Sequence, residues 1–558
     1  MKPEIRPPSP LLQPAPAGPS SLVTNVVLGA LTRPIPWAFS ICALAWAALI
    51  WAWEPSYLTL VVDDSFYYLE IARHLAAGAG STFDGINPTN GYHPGWMGVF
   101  TALSLFVGDN PAVLMRVALT LQLGLVLGGT VLLARANLPG ARRLRLVVGL
   151  ALANFYFMKV LVNGQESALQ YALLCVTLVA SLRGMERTVR GSLLLGVLAG
   201  LTALTRLDAA FFGVTLAAMP LIWPSQETAR LSFGERLARA AATGAGLSLC
   251  LVPYLAHNHV TTGHLLPVSG AIKAGAAVTT GLVVRVGVAA LALAVPAALL
   301  VGRGRLLALG RRGDFARAIY PLVGYVALET AYLAAVRGVL VPEIWYLVPH
   351  FLLAMLLLVA AMDSSLVRHW VRRRVTEARR RGHLFSAASG AVIIFAGLTW
   401  VYRLDPASYA RFTVAREMSQ WASDNLPESA VLASWDAGAV GAHTRQPVVN
   451  LDGLASSWDY KENYLDHRRT EDFITRVVPV THLIQYFDPD ALLAKKDPSW
   501  RGVPLSGWHV AAARCFDARL ALNPLAKRKL VYVVLSRSPE DQPMSDFLAG
   551  LRGLCNSS

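Results

Sequence analysis

Charged residues are scarce in this chain: Asp, Glu, Lys and Arg make up 15% of its 558 residues, while 54% are hydrophobic. Soluble domains carry about 25% charged residues, so the composition excludes an ordinary soluble protein and points to a polytopic membrane protein. Acidic residues are scarcer than basic ones, 35 against 50, which leaves a formal charge of +15. In a soluble chain that excess would suggest nucleic acid. Here the arginines lie between apolar runs, where they set topology and meet anionic headgroups, so the expected partner is the bilayer and no nucleic acid is implied. Cysteine is rare, with five residues. Cys42, Cys175 and Cys250 fall in apolar runs, and Cys515 and Cys555 could form a disulfide if the C-terminal segment is extracytoplasmic. An internal repeat of clear period is also missing.

What is abundant is apolar sequence. A span needs about 20 mostly apolar residues, and eleven such runs, some short, lie near 37–53, 112–134, 146–162, 168–182, 192–205, 208–223, 240–256, 277–300, 318–336, 345–362 and 384–402. With the N-terminus inside, the cytoplasmic loops collect Arg135, Arg142, Arg143 and Arg145, then Arg183, Arg187 and Arg190, then Arg230, Arg236 and Arg239. Arg303 to Arg317 and "RHWVRRRVTEARRRGH" from Arg368 follow. The outer loops hold little more than Arg73, Arg206, Lys273 and Arg337. That alternation is the positive-inside pattern.

Residues 1–36 are proline-rich and poor in large apolar side chains, and are expected to form a disordered cytoplasmic tail. No convincing cleavage site follows Trp53, so the first apolar run is read as an uncleaved span. Residues 37–402 form the membrane domain. After it, residues 403–558 read as a soluble α/β domain on the outer side: a helix at "YARFTVAREMSQWASDNLP", then strand-like runs at "SAVLAS", "QPVVNLDG", "THLIQYF", "GWHVAAA" and "KLVYVVLS".

The first outer loop, 54–111, is much longer than its neighbours. It opens on "VVDDSFYYLEIARHL", in which Tyr67, Tyr68, Ile71, Ala72 and Leu75 share one helical face, opposite Glu70, Arg73 and His74. This predicts an interfacial helix lying along the membrane. A second interfacial or re-entrant helix is expected from Gly95 to Phe106. The turn-rich stretch between them holds Asn90, Tyr92 and His93. Asp63 and Asp64 stand at the edge of the apolar run. One aspartate would serve to cap a helix; two adjacent carboxylates near an apolar boundary also suit a base or cation site, since proximity and desolvation raise one pKa.

The acidic pair opening the first outer loop, with the surface helices after it, resembles the GT-C superfamily of integral-membrane glycosyltransferases. That superfamily includes protein O-mannosyltransferases and bacterial aminoarabinose and arabinofuranosyl transferases; bacterial family-39-like members are most similar. The stretches "NGQESALQYALL" from Asn163, "GLTALTRLDAAFF" from Gly200, "PYLAHNHVTTGHLLPVSGAIKAG" from Pro253, "EIWYLVPHFLLAM" from Glu343 and "VLASWDAGAVGAHTRQPVVNLDGL" from Val431 agree with it. The resemblance implies a GT-C fold, a polyprenyl-phosphate sugar donor, and a loop aspartate that activates the acceptor hydroxyl. In that family the first acid of the pair usually has this role, which favours Asp63 and leaves Asp64 open. A carboxylate within hydrogen-bond reach can take the hydroxyl proton as the oxygen attacks the anomeric carbon, inverting it, and the lipid phosphate that departs needs cations or a metal.

Candidates for donor-phosphate binding are Lys273, Arg206, Arg285, Lys159 and Arg337; for substrate binding, His93, Glu166, Asp208, Tyr346, Asn90 and Tyr92. Arg285 and Lys159 fall within apolar runs, where a charge suggests a polar cavity or bound phosphate, though Lys159 could equally snorkel to headgroups. Arg206 and Asp208 could simply pair with each other, and Glu166 could start a helix. His257, His259 and His264 lack the usual zinc spacing. No cofactor is therefore implied beyond a possible divalent cation. Asp436 and Asp452 fall in turns after strands, where sugar hydroxyls could bind but turn formation is the simpler role. The expected protein is a multi-pass inner-membrane glycosyltransferase with a periplasmic site. A lipid-linked-sugar flippase and a non-catalytic envelope-assembly scaffold are the alternatives; inverted repeats and broken helices would favour the former.

Overall fold

The computed structural model describes residues 36–136, 144–222, 230–275, 290, 313–335, 343–363, 405–488, 499–505, 507–520 and 523–537. The expected N-terminal tail, Arg285, Arg337, Cys555, the run 384–402 and nearly all of the run 277–300 lie outside these residues. The helical part comprises α1 (Pro36–Ala52), α2 (Ser56–Leu60), α3 (Asp63–Ala76), α4 (Pro94–Val107), α5 (Pro111–Ala134), α6 (Leu144–Leu152), α7 (Phe155–Leu161), α8 (Ser167–Leu182), α9 (Val189–Thr205), α10 (Ala210–Ile222), α11 (Phe233–Thr262), α12 (Val268–Gly275), α13 (Gly313–Ala335) and α14 (Val348–Asp363).

Helix ends follow local chemistry. Asn110 accepts from the backbone N–H groups of Ala112 and Val113 at 3.0 and 3.1 Å and Pro111 opens α5, because a side-chain acceptor and a proline both suit a first turn with free N–H groups. Ser232 and Glu235 form a capping box at the start of α11, and Gly263, at φ 77°, ends it. Among the described residues, α5 and α11 are long and apolar enough to cross a membrane. The run expected as one span at 146–162 is two helices, α6 and α7, divided at Asn154, whose side chain accepts from the Tyr156 N–H at 2.9 Å and so starts a second helix.

The C-terminal part contains α15 (Ala410–Asn425), β1 (Leu432–Ser434), α16 (Ala437–His443), β2 (Val448–Asn450), β3 (His482–Phe487), β4 (Ser499–Trp500), β5 (Val503–Pro504), β6 (Trp508–Leu520) and β7 (Asn523–Arg537). Each of the five expected strand-like runs contributes one strand to a sheet of order β2-β1-β3-β7-β6. In it β1 is parallel to β2 and β3, while β7 is antiparallel to β3 and β6. Cys515, on β6, is disulfide-bonded, and Cys42, Cys175 and Cys250 are free.

The helix α3 is covered on more than its apolar face: Ser65, Phe66, Tyr67, Tyr68, Leu69, Ile71 and Ala72 are all buried, while Glu70 and Arg73 on the polar face stay partly exposed. Of the apolar face seen in the sequence, Tyr68 reaches Glu166 in the helical part and Tyr67 reaches Asp452 in the sheet-bearing part, and Phe66 turns to Phe412 and His443, with ring centroids 6.1 and 5.6 Å away. Phe66, Val414, Met418, Val440, Ile484 and Tyr532 belong to one continuous hydrophobic core. The sheet-bearing part thus roofs α3 and is joined to it by apolar burial, the main favourable term in packing.

Candidate functional site

The site starts from the turn Val162–Glu166, between α7 and α8. Gly164 holds φ +84°, and a Cβ there would press on Ser65 at 2.8 Å, so both the conformation and the space require glycine. Three helices fix the turn. Ser65 donates to the Asn163 carbonyl at 2.7 Å, Trp96 Nε1 to the Gly164 carbonyl at 2.9 Å, and the Gly164 N–H to Gln122 Oε1 at 3.0 Å. Gln122 Nε2 also donates to the Gln165 carbonyl.

Glu166 stands at the N-cap of α8, the helix start expected there, but its side chain makes no capping hydrogen bond. Its carboxylate accepts from Arg206 Nη1 at 2.8 Å and from the Tyr68 hydroxyl at 3.1 Å. Arg206, just past α9 in extended conformation, also donates Nη2 to Asp208 Oδ2 at 2.6 Å and lies 4.2 Å from the Tyr346 ring centroid. Asp208 accepts in addition from Tyr325 at 3.2 Å. The expected Arg206–Asp208 pair therefore exists, as part of a buried triad with Glu166 in which the hydrogen bonds offset the cost of removing charge from water. On α12, Lys273 donates Nζ to Asp64 Oδ2 at 3.0 Å and sits 5.6 Å from the Trp345 ring. Burial opposes its charge, but Asp64 and then Tyr346 more than offset this and raise its pKa.

These groups surround one cavity of about 350 Å³ whose walls include Asp64, Tyr92, His93, Gln165, Glu166, Arg206, Asp208, Lys273, Trp345 and Tyr346. All of them sit at one set of helix ends, while Arg135, Arg183, Arg190 and Arg236 lie at the opposite ends of α5, α8, α9 and α11. Burial lowers the pKa of His93, which favours the neutral ring. Asp64 and Lys273 are each about a quarter exposed, whereas Arg206 and Glu166 are nearly inaccessible, at 3% each. Among the described residues of the wall, Lys273 is thus better placed than Arg206 to exchange its carboxylate for an incoming anion.

Other candidates lie apart. Asp63 does not line the cavity. It accepts the backbone N–H groups of Gly438 and Ala439 at 3.1 and 3.0 Å, so it caps a helix, though that helix is α16 and not its own. A Cβ on Gly438 would collide with the Asp63 carbonyl oxygen. Burial first, then Asp436, raise the Asp63 pKa to about 6, against Arg411. Asp452 accepts from Tyr67 and the Leu454 N–H, both at 2.9 Å, and burial raises it to about 8. Asn90 accepts the Val268 N–H at 3.0 Å and secures the start of α12. Lys159 donates to the Thr59 carbonyl at 3.3 Å and is not on the cavity wall. His264 stacks on Trp458 at 3.6 Å and approaches Glu462 at 3.2 Å; among the described residues no group of three or more His, Cys, Asp or Glu side chains is placed to hold a metal. Gln165, Tyr68 and Trp345 were not foreseen. For Gln165 the signal was its place in "NGQES", beside a glycine that only a tight turn requires.

Three comparisons bear on this geometry. A family model described as a domain of unknown function (DUF8728) matches residues 404–533, which contain most of the sheet. No curated protein matches. Among solved structures, ArnT from Cupriavidus metallidurans, in a crystal structure with bound undecaprenyl phosphate, is similar over 90% of this chain and 99% of its own, at a TM-score of 0.52 and 14% identity. That likeness shows the fold alone: over most of its length the chain folds as ArnT does.

Proposed function

We propose that the chain is an inner-membrane glycosyltransferase that moves a sugar from a polyprenyl-phosphate donor to an acceptor hydroxyl at the periplasmic face. The observation that carries the reading is the cavity in which Asp64, Lys273 and Arg206 meet beside Trp345 and Tyr346, within a fold shared with a protein that binds undecaprenyl phosphate. In this reading the eleven spans place the cavity and the sheet-bearing part, 403–558, outside, and the arginine-rich helix ends inside. A periplasmic cavity disfavours nucleotide sugars as donors.

Asp64, not Asp63, is the base. A base must reach the proton it removes; Asp64 faces the cavity, while both oxygens of Asp63 accept backbone N–H groups. Lys273 holds Asp64 until the donor phosphate arrives. The phosphate then takes over the ammonium in a charge-assisted bond, leaving the Asp64 carboxylate able to accept a proton. The acceptor oxygen attacks the anomeric carbon from the face opposite the phosphate, its proton passes to Asp64, and the bond from carbon to phosphate oxygen breaks with the electron pair on the departing lipid phosphate. Lys273 steadies that charge. Arg206, locked between Glu166 and Asp208, shapes the wall, its charge offset by the two carboxylates. The experiment is transfer by purified protein from a defined undecaprenyl-phosphate sugar, with Asp63→Asn and Asp64→Asn tested separately. Asp64→Asn is expected to lose transfer and Asp63→Asn to retain it; an Asp64→Asn protein as active as wild type sinks the assignment.

A further inference from the structure

Within the turn between α7 and α8, the polar groups of Asn163, Gly164 and the Gln165 backbone are engaged. The Asn163 side chain accepts the Gln165 N–H at 2.9 Å and donates to Ser167 at 3.1 Å, and the carbonyls of Asn163, Gly164 and Gln165 accept from Ser65, Trp96 and Gln122. The side chain of Gln165 is the exception. The residue is 3% exposed, lines the cavity, and its Oε1 is buried with no hydrogen-bond partner. His93, also on the cavity wall, has a buried Nδ1 with no partner, while its backbone N–H is held by Tyr68 at 3.1 Å.

A buried polar atom without a partner costs about 1–3 kcal/mol, and native structures rarely keep one without a reason. Two such atoms on one wall, one of them on a turn anchored by three helices, form a prearranged surface for a ligand that supplies hydrogen bonds. The ligand class follows from the donor and acceptor sets. Carboxamide and imidazole each bring acceptor and donor capacity and no net charge when the ring is neutral, so they match hydroxyl groups, which both donate and accept; the open Gln165 Oε1 is an acceptor and has no proton to take from an ionised phosphate. The charged groups Glu166, Arg206, Asp208 and Lys273 lie within electrostatic reach of His93, so the open polar atoms adjoin the charged part of the wall.

We propose that Gln165 and His93 form a polyol subsite that binds the hydroxyl groups of a sugar in the cavity, beside the phosphate contacts. This deepens the glycosyltransferase reading and rests on it. The sugar can be that of the donor or that of a glycan acceptor, and the two sources leave different marks.

The test uses full-length protein in nanodiscs with two probes, undecaprenyl phosphate and undecaprenyl-phosphate mannose, alongside transfer assays with a panel of undecaprenyl-phosphate sugars. The variants are Gln165→Met, which keeps side-chain length without hydrogen bonding, and Gln165→Glu, which keeps an acceptor but changes charge. If the donor sugar is the ligand, wild type prefers a sugar-bearing lipid by tenfold or more. Gln165→Met then removes that preference while its affinity for undecaprenyl phosphate stays within twofold of wild type. If the acceptor is the ligand, Gln165→Met instead raises the acceptor KM about tenfold with donor binding unchanged. Either result supports the subsite. Equal weakening of both lipid probes, or no change in any of these quantities, overturns it. Failure of the wild-type protein to bind undecaprenyl phosphate, or to transfer sugar from any donor in the panel, overturns the glycosyltransferase reading instead, and the subsite with it.

Discussion

Asp63 and Asp64 are adjacent in the chain and belong to different regions of the molecule. Successive residues at a helix start point about 100° apart, and here that angle separates a seam from a cavity. In the seam between α3 and the sheet-bearing part, Asp63 receives two backbone N–H groups, and Asp452 receives Tyr67 and a backbone N–H. Both carboxylates are engaged within the protein. In the cavity Asp64 has a partly exposed ammonium as its partner, and Gln165 and His93 keep polar atoms without partners. A buried polar network that is fully satisfied fixes a structure; one with open valences is prepared for a ligand.

The largest effect that distinguishes the regions is on rate. Asp64→Asn is expected to lower kcat by about 10²–10⁴-fold, the usual contribution of a general base, with little change in thermal stability. Asp63→Asn keeps one acceptor for α16 and is expected to cost about 1–3 kcal/mol of stability and much less in rate. Measuring kcat and the melting temperature of both variants gives opposite orders for the two quantities; the same order in both would break the comparison. Next is the charge triad at the cavity wall. Arg206→Met leaves Glu166 and Asp208 buried without their cation, which should cost about 3–5 kcal/mol, read as a large fall in melting temperature. A variant as stable as wild type would show that the triad is not an obligate unit.

The legibility of these regions differs for a physical reason. Strands β1, β2, β3, β6 and β7 were visible in the sequence because apolar or alternating runs between turn residues carry their own period. The helices of the bundle were visible because lipid-like composition is a local property. The partner of Asp63 was not, since Gly438 is 375 residues away and no local pattern marks a side chain that caps a distant helix. The same holds for α3: Tyr67, Tyr68 and Ile71 announce one buried face, but the burial of Phe66 and Leu69 depends on a roof built from residues beyond 405. Glu166 could be singled out as a carboxylate beside a glycine turn. That its partners would be Arg206 and Tyr68, and that Gln165 next to it would be left open, depended on how three helices converge.

A smaller effect concerns pH. Asp63 and Asp452 are raised by burial to about 6 and about 8. A carboxyl group raised on folding adds stability that is fully present below its unfolded pKa and is lost as pH rises through its folded pKa. His443, lowered by burial to about 4, acts in the other direction, adding stability that appears as pH rises from about 4 to about 6.5. The opposing slopes overlap below about pH 6.5. Between there and pH 8 Asp452 dominates the seam, whose neighbouring charges are Asp436, Asp64, Asp63 and Arg411. Melting temperature is expected to fall across that window, and Asp452→Asn to flatten the fall. A rise in the wild-type protein would exclude the seam as the source.

The smallest expected effect is also the most discriminating between sequence and structure, because Lys159 and Lys273 looked alike in the sequence as phosphate ligands. Lys273 faces the cavity and holds Asp64; Lys159 donates to the Thr59 carbonyl, away from the cavity wall. A charged hydrogen bond to a ligand contributes about 1.5–3 kcal/mol, so Lys273→Met should raise the donor KM by about tenfold or more. Lys159→Met removes a contact to α2, which precedes α3, and should leave the donor KM within about twofold, because Lys159 is not on the cavity wall. Equal effects of the two substitutions on donor KM would mean that phosphate binding extends beyond the described cavity toward α7.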